Sequence, residues 1–205
     1  MRCISSLCLF LLLAPPTASA AQSARGGGGD WGLRLRVVIS GTSAESEPAD
    51  YKIYSGVSLE GAVSRKLGDV TAIELAVRTE SREVEGPRTP GTEHRLGAFE
   101  MLPIDLTLQW RPRGRSDASL QPYVGLGLNV TTTWEASGLL DSTHPPVTLG
   151  PAVQLGVTHA LSPQAVLNVD ARWHTMSVDF VNFAETEPRV TLDPLSLGLG
   201  VGISF

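Results

Sequence analysis

The sequence predicts an all-β fold, an eight-stranded antiparallel up-and-down transmembrane β-barrel. Three observations lead to it: the alternation of the last segment, the lack of an apolar run long enough for a membrane helix, and the alternation of short and long connections. From Leu195 to Phe205 every second residue is apolar, and the residues between are glycine or serine. Successive strand side chains point to opposite sides, so one face is aliphatic and the other is small. This pattern is typical of an outer-membrane barrel strand, with lipid outside and a crowded interior.

The composition also points away from helices. The chain has 21 glycines and 14 prolines, and only 6 % of its residues are aromatic. Glycine and proline both disfavour helix interiors. No internal apolar run reaches the ~20 residues that a helix needs to span a bilayer, so any membrane span is expected to be a strand.

Residues 1–20 are predicted to be a signal peptide. Arg2 supplies a positive charge, Leu7 to Ala14 form an apolar region too short to span a bilayer, and Ala18 to Ala20 offer a small-residue cleavage site. The mature chain should therefore begin near Ala21. Residues 21–30, with four consecutive glycines, read as a flexible Gly-rich leader to a barrel over residues 31–205.

Loss of the signal peptide removes both cysteines, Cys3 and Cys8, so no disulfide or cysteine metal site is expected in the mature protein. It also removes Arg2, leaving 15 Lys and Arg against 21 Asp and Glu, a net charge of about −6. No basic cluster is present. The sequence therefore predicts no nucleic-acid partner.

Eight amphipathic segments follow the leader. They are Trp31 to Ser40, Gly56 to Lys66, Val70 to Val84, Phe99 to Arg113, Leu120 to Trp134, Val147 to Ala160, Ala165 to Val178 and Arg189 to Phe205. Long polar connections alternate strictly with short ones, which are Leu67 to Asp69, Gly114 to Ser119 and Leu161 to Gln164. An even number of strands joined in this way fits a barrel with short periplasmic turns and long extracellular loops.

The four tryptophans give an independent test of the strand register. By parity Trp31, Trp110, Trp134 and Trp173 all fall on the apolar, outward face. By height Trp31, Trp110 and Phe205 lie near the periplasmic rim and the other two nearer the extracellular rim, which gives two aromatic girdles. A soluble barrel with scattered core aromatics would show no such sorting.

Charged residues fall on the inward face of several segments. Toward the periplasm these are Arg34, Arg36, Glu60, Glu74, Asp105, Asp170 and Arg172. Charges in so narrow a space must pair to offset the loss of hydration. We therefore expect three arginines and four carboxylates to form a charged plug across the lumen.

Apolar residues fall on the inward face nearer the extracellular end. They are Phe99, Met101, Met176 and Val178, with inward glycines at 125, 127, 156 and 198 expected to leave room between them. An apolar vestibule above a polar floor would bind a hydrophobic ligand and stop it from passing straight through. The alternative is that these side chains merely fill the barrel, as in other eight-stranded barrels.

If the floor is closed, a hydrophobic solute must leave through the wall. Four prolines, Pro103, Pro122, Pro151 and Pro194, lie within predicted strands, where proline removes a ladder donor. Pro103 is the preferred candidate for lateral exit because its strand lines the proposed vestibule. The alternative is that the prolines mark strand ends above the bilayer.

The histidines give little support for an enzyme. His94 and His144 fall in loops, His159 is outward, and His174 has no serine two residues away on its face. A serine hydrolase needs an activating base beside its nucleophile, and a metal site needs clustered ligands. We therefore expect no catalytic activity, no metal and no cofactor.

Several stretches together resemble the OmpW family of small outer-membrane barrels. They are LPIDLTLQWRP from Leu102, QPYVGLGLNVT from Gln121, GPAVQLGVTHAL from Gly150, VLNVDARW from Val166 and VTLDPLSLGLGVGISF from Val190. The resemblance implies a narrow lumen, apolar toward the outside and closed toward the periplasm, that takes up small hydrophobic molecules. Phe205 resembles the carboxy-terminal aromatic signal that the barrel-assembly machinery recognises.

The sequence thus predicts a monomeric barrel in the outer membrane of a Gram-negative bacterium, in contact with outer-membrane lipid, the assembly machinery and a small hydrophobic solute. Passive uptake with lateral exit is the expected function. A structural or surface-interaction barrel with an inert lumen is the open alternative. A soluble lipocalin-like carrier is disfavoured by Phe205 and the girdles.

Overall fold

The computed structural model describes residues 30–45, 52–53, 56–85, 95–112, 119–136, 147–179 and 189–205. The predicted signal peptide and nearly all of the leader lie outside the described residues. Within the described part of the chain, no helix is long and apolar enough to cross a membrane.

The described chain forms ten strands. They are β1 (Trp31–Glu45), β2 (Lys52–Ile53), β3 (Gly56–Lys66), β4 (Thr71–Glu85), β5 (Arg95–Trp110), β6 (Leu120–Ala136), β7 (Val147–Ala160), β8 (Ala165–His174), β9 (Met176–Asp179) and β10 (Arg189–Ser204). All eight predicted segments are strands. β1, β5 and β6 extend further toward the long loops than predicted, because the backbone ladder continues where the apolar alternation has faded.

The strands close into a barrel of eight staves. Each long strand pairs antiparallel with its neighbour in the chain, and β10 pairs with β1 from Ser204 opposite Gly32 to Thr191 opposite Glu45. β8 and β9 share one register against β10 and form a single stave interrupted at Thr175. The two-residue β2 pairs with β4. The predicted eight-stranded up-and-down barrel is confirmed.

The two ends of the barrel differ in their connections. Short turns join β3 to β4 and β7 to β8, closed by Leu67 N donating to Thr71 O at 3.0 Å and Leu161 N donating to Ala165 O at 2.9 Å. At the same end Trp31 and Phe205 exchange backbone hydrogen bonds of 3.0 and 3.1 Å, which complete the seam between β1 and β10. We call this the turn end, and the opposite end, from which the long connections leave, the loop end.

The two faces of the wall are inverted relative to a soluble protein. Aliphatic side chains such as Leu35, Leu199 and Val201 are more than half exposed on the outside. By contrast, the largest fully buried side chains, among them Arg36 and Gln154, are all polar. Such a surface requires an apolar solvent, and such an interior requires internal pairing of its polar groups.

Three tryptophans lie on the outer face as predicted: Trp31 is 38 % exposed, Trp110 55 % and Trp173 40 %. The side chain of Trp134 lies outside the described residues. Trp31, Trp110 and Phe205 lie at the turn end, as the lower girdle requires.

Candidate functional site

Arg36 of β1 is the centre of the lumen. Its Nε donates to Glu60 Oε1 at 2.6 Å, Nη1 to Asp170 Oδ2 at 2.7 Å and Nη2 to Glu74 Oε1 at 3.0 Å. These acceptors come from β3, β8 and β4, so one guanidinium joins four staves across the barrel. Every nitrogen of this guanidinium has an anionic acceptor, which is the geometry that offsets the burial of its charge.

Arg172 of β8 forms a second centre beside it. Its Nη1 donates to Glu60 Oε2 at 2.7 Å and lies 3.4 Å from Asp105 Oδ2, and its Nη2 donates to Glu74 Oε1 at 3.0 Å. Arg34 is also paired with Glu74. The structure therefore brings together all the residues proposed for the charged plug, which we call the Arg36 network: Arg34, Arg36, Glu60, Glu74, Asp105, Asp170 and Arg172.

The network continues toward the loop end through three residues of β4 that the sequence analysis missed. Arg78 Nη1 lies 3.1 Å from Asp105 Oδ2, Arg78 Nε lies 3.4 Å from Glu80 Oε2, and Arg82 Nη2 lies 2.5 Å from Glu80 Oε1. Arg78, Glu80 and Arg82 share the parity of Glu74, so the alternation alone could have found them.

Charge is balanced among the fully buried side chains of the described barrel, while the half-buried Arg111 adds a cation at the turn end over the Tyr123 ring. The buried charged side chains are five arginines and five carboxylates: Arg34, Arg36, Arg78, Arg82, Arg172, Glu60, Glu74, Glu80, Asp105 and Asp170. Neutral groups complete their bonding, since Asn129 Nδ2 donates to Asp105 Oδ1 at 2.7 Å and Tyr123 OH lies 3.1 Å from Asp170 Oδ2. The polar contacts reach every stave except that of β10.

On β10, glycines give the network the space it occupies. A Cβ at Gly198 would overlap the Asp170 carboxylate, and a Cβ at Gly200 would meet Arg36 Cγ at 2.5 Å and Arg36 Cα at 2.7 Å. On β7, a Cβ at Gly156 would overlap the Tyr123 ring. The expectation that inward glycines leave open room is therefore wrong, because larger side chains from neighbouring strands fill that space.

The residues proposed for the apolar vestibule are only partly described. Phe99 and Met101 of β5 are both inward and 3 % exposed. Met176 and Val178 lie on β9, but their side chains are outside the described residues. Directly across from Phe99 and Met101 in the ladder are Arg82 and Glu80. The expected separation of charge from apolar residues by height is therefore wrong for β4, whose charges continue upward beside an apolar stretch of β5.

Pro103 is inward and buried, and it lies at an interruption of the wall. The β4–β5 ladder runs to Val77 opposite Ile104 and resumes, without a change of register, at Glu80 opposite Met101. Pro103 falls in this gap and has no N–H to donate. On its other side it pairs with Thr131 of β6.

A second gap lies between β10 and the interrupted stave. The β10 ladder pairs Leu195 with Trp173 and Leu192 with Met176, and skips Asp193 and Pro194 between them. Pro194 keeps its partner Thr42 on the β1 side. Pro122 and Pro151 lie within the continuous β6–β7 ladder.

The two described histidines lie apart from each other. His159 is outside the lumen, with Nδ1 3.0 Å from the Ser119 carbonyl oxygen, and His94 and His144 lie outside the described residues. His174 is inside the barrel and 1 % exposed. Among the described residues, no group of three or more His, Cys, Asp or Glu side chains could hold a metal ion.

Three solved structures share this architecture. The outer membrane protein AlkL, determined by solid-state NMR in DMPC bilayers, is 22 % identical with a TM-score of 0.69, covering 93 % of this chain and 97 % of that one. OprG from Pseudomonas aeruginosa is 20 % identical with a TM-score of 0.66, covering 88 % and 97 %. Neisserial surface protein A is 15 % identical with a TM-score of 0.59, covering 87 % and 99 %. At these identities the likeness establishes the fold alone.

Comparison with curated proteins gave no match. A family model, described as the OmpW family, matches residues 43–205. The match covers β2 to β10 in full and only the last three residues of β1, and so it excludes Arg34 and Arg36. It places the protein in the outer membrane of a Gram-negative bacterium, and the structural neighbours are outer-membrane barrels. The chain belongs to the OmpW family.

Proposed function

We propose that this barrel mediates passive uptake of small hydrophobic molecules, which enter the lumen from the loop end and leave sideways through the wall into the membrane. The observation that carries the proposal is the position of the Pro103 gap. It lies toward the loop end of the Arg36 network and two residues from Met101, so an interruption of the β4–β5 ladder adjoins an apolar side chain of the lumen.

The Arg36 network supports a closed floor. An apolar solute passing through it would have to separate Arg36 from Glu60, Glu74 and Asp170, and each buried charge left unpaired costs several kcal/mol. A small ion meets the same barrier, because the charges are already paired and balanced. If these residues form a plug, neither an apolar solute nor a small ion can pass straight through the lumen.

The Pro103 gap supports a lateral route. A strand pair held by a continuous ladder opens only at the cost of several backbone hydrogen bonds. Arg78 and Thr79 of β4 have no partner in the register with β5, so separation of the two strands at this height breaks fewer bonds than elsewhere. The outward neighbour Leu102 would give the departing solute an apolar surface that leads to lipid.

A barrel with an inert lumen is the second candidate, and a specific observation favours it. The Arg36 network is complete enough to serve as a core that only stabilises the wall. The two candidates differ in transport: an inert barrel gives neither ion conductance nor solute uptake.

The test combines two measurements on the same protein. Entry of a hydrophobic fluorescent probe is measured in Gram-negative host cells that express the barrel, and single-channel conductance of the purified protein is measured in planar bilayers. Lateral transport predicts rapid probe entry with negligible conductance. A Thr79–Leu102 cysteine pair that cross-links β4 to β5 should block entry, and reduction should restore it. Absence of probe entry in the parent protein would establish the inert barrel.

A further inference from the structure

His174 is a buried polar side chain without a bonding partner. It is the last residue of β8, two residues beyond Arg172 on the inward face, and is 1 % exposed. Neither Nδ1 nor Nε2 has a hydrogen-bond partner among the described residues. Buried polar atoms are almost always satisfied in folded proteins, so two such atoms on one ring indicate a position where a polar group binds.

Further donors without acceptors lie on its own strand, on the neighbouring strand β10 and on β4. Arg78 Nη2, Arg172 Nε and Ser196 Oγ have no partner in the described part of the barrel. Arg78 and Arg172 are adjacent, because both reach Glu60 Oε2 and Asp105 Oδ2, and Ser196 is the register partner of Arg172. We call His174, Arg78, Arg172 and Ser196 the His174 layer.

The charges that face His174 come from three staves. It interacts electrostatically with Arg78 and Glu80 of β4, Asp105 of β5 and Arg172 of its own strand. On β7 its ladder partner is the small residue Ala152. The free groups of the layer are mainly N–H and O–H donors, and donors of this kind fit an anionic oxygen.

Charge balance narrows the chemical class of the ligand further. Among the described residues the fully buried arginines and carboxylates are equal in number, and the half-buried Arg111 lies at the turn end over the Tyr123 ring, so an anion added at the His174 layer adds a negative charge with no added cation beside it. His174 can supply the missing positive charge by taking up a proton. A carboxylate meets both conditions, because one oxygen accepts from the protonated imidazole and the other from Arg78 Nη2.

Apolar side chains lie on the loop-end side of the layer. Met101 and Phe99 are four and six residues from Asp105 along β5, about 13 and 20 Å toward the loop end. Both face inward and are 3 % exposed. A ligand with its polar group on the His174 layer therefore has its hydrocarbon chain directed toward Met101, the nearer of the two.

We propose that the His174 layer binds the carboxylate of a small amphiphilic acid, whose apolar chain lies toward Met101, and that binding transfers one proton from solution to the His174 imidazole. This inference rests on the proposed function and narrows its solute class from hydrophobic molecules in general to weak organic acids. No covalent bond changes, and the complex gains one anion and one proton together.

The test is calorimetric titration of hexanoate into the full barrel in lipid nanodiscs at pH 7, in two buffers that differ in ionisation enthalpy. Comparison of the two heats gives the number of protons taken up, which we expect to be close to one per hexanoate. His174→Gln should weaken binding at least tenfold and abolish proton uptake. His159→Gln, at the outer surface, should change neither quantity. Hexanol should bind both parent and His174→Gln without proton uptake.

Hexanoate binding without proton uptake, or an equal affinity for hexanol and hexanoate, would overturn the inference. The proton count of the parent protein decides this even if His174→Gln does not fold. Hexanoate binding in a barrel that shows no probe entry would refute the transport proposal and leave the site in place. Probe entry in a barrel that does not bind hexanoate would refute the site alone.

Discussion

The Arg36 and Arg172 guanidiniums lie in one lumen, yet they are bonded differently. All three nitrogens of Arg36 have acceptors on Glu60, Asp170, Glu74 or Asn168. Arg172 leaves Nε without a partner in the described barrel, as Arg78 leaves Nη2 and His174 leaves both ring nitrogens. A fully bonded group acts as part of the core, whereas a partly bonded one retains capacity for a ligand. We therefore expect Arg36 to act mainly on the stability of the barrel, and we propose the His174 layer as the place where a ligand binds.

The largest effect should follow loss of the fully bonded arginine. Arg36→Met leaves Glu60, Glu74 and Asp170 with fewer cations than they need, and removal of one partner from a buried ion pair costs about 3–5 kcal/mol. We expect a fall of that size in the free energy of unfolding, measured by urea titration in lipid vesicles. Arg65→Met is the matched control, since Arg65 is an exposed cation 5.3 Å from the Trp31 ring centroid. An equal loss in both variants would remove the distinction between the inner network and the surface.

Substitutions in the wall beside Arg36 should have the next largest effect on the free energy of unfolding. Leu199→Arg should cost about 2–4 kcal/mol if Leu199 lies near the bilayer midplane. Gly200→Ser should cost about 1–3 kcal/mol by overpacking against the Leu35 carbonyl oxygen and Arg36. Gly61→Ser is the control, because a Cβ at Gly61 meets no atom within 4 Å. The same unfolding titration measures all three, and full tolerance of Gly200→Ser would show that the β1 backbone and the Arg36 side chain can both move aside.

In the upper lumen we expect an effect on transport rather than on stability. Met101→Asp places a new carboxylate at a buried apolar position opposite Glu80, and should lower entry of the hydrophobic probe at least tenfold. Met101→Leu keeps the apolar surface and should retain entry. Heat-modifiable migration on gels checks that both variants fold. Unchanged entry in folded Met101→Asp would contradict a solute path beside this residue.

The smallest effect should come from Asp105, which joins the Arg36 network to Arg78 of the His174 layer. Asp105 accepts from Asn129 and lies near both Arg78 and Arg172, so Asp105→Ala leaves two guanidiniums short of an acceptor. Loosened side chains should raise small-ion conductance in planar bilayers above that of the parent barrel. Asp69→Ala, in the turn after β3, should leave conductance at the parent level. Identical traces for Asp105→Ala and the parent would show that the floor stays closed without this carboxylate.

Alternation along the chain was sufficient to predict the fold. It assigned the inward and outward residues of the last strand, all seven members of the Arg36 network and the outward positions of Trp31, Trp110 and Trp173. Parity is a local property of each strand, and the bilayer imposes it on every strand in turn. Phe205 lies at the seam as predicted, while its role in assembly remains a prediction.

Alternation could not predict the relative heights of residues that lie on different strands. These heights depend on how the staves are staggered when the sheet closes, and no single strand encodes that stagger. Arg78, Glu80 and Arg82 had the correct parity but were omitted, because the charged region was expected to end near Glu74. The glycines failed for a related reason: alternation shows where a side chain is missing, and only the neighbouring strand shows what fills the gap.

The reach of Arg36 also has a consequence for the order of folding. Its acceptors Glu60, Glu74 and Asp170 lie 24, 38 and 134 residues further along the chain. A barrel that lacks its last staves would therefore leave Arg36 without Asp170, and Glu60 and Glu74 without Arg172, in a half-formed interior. A partly inserted barrel is therefore less stable than the complete one, because its buried charges lack partners. We expect the strands to enter the membrane cooperatively, in a step that finishes only when β10 pairs with β1.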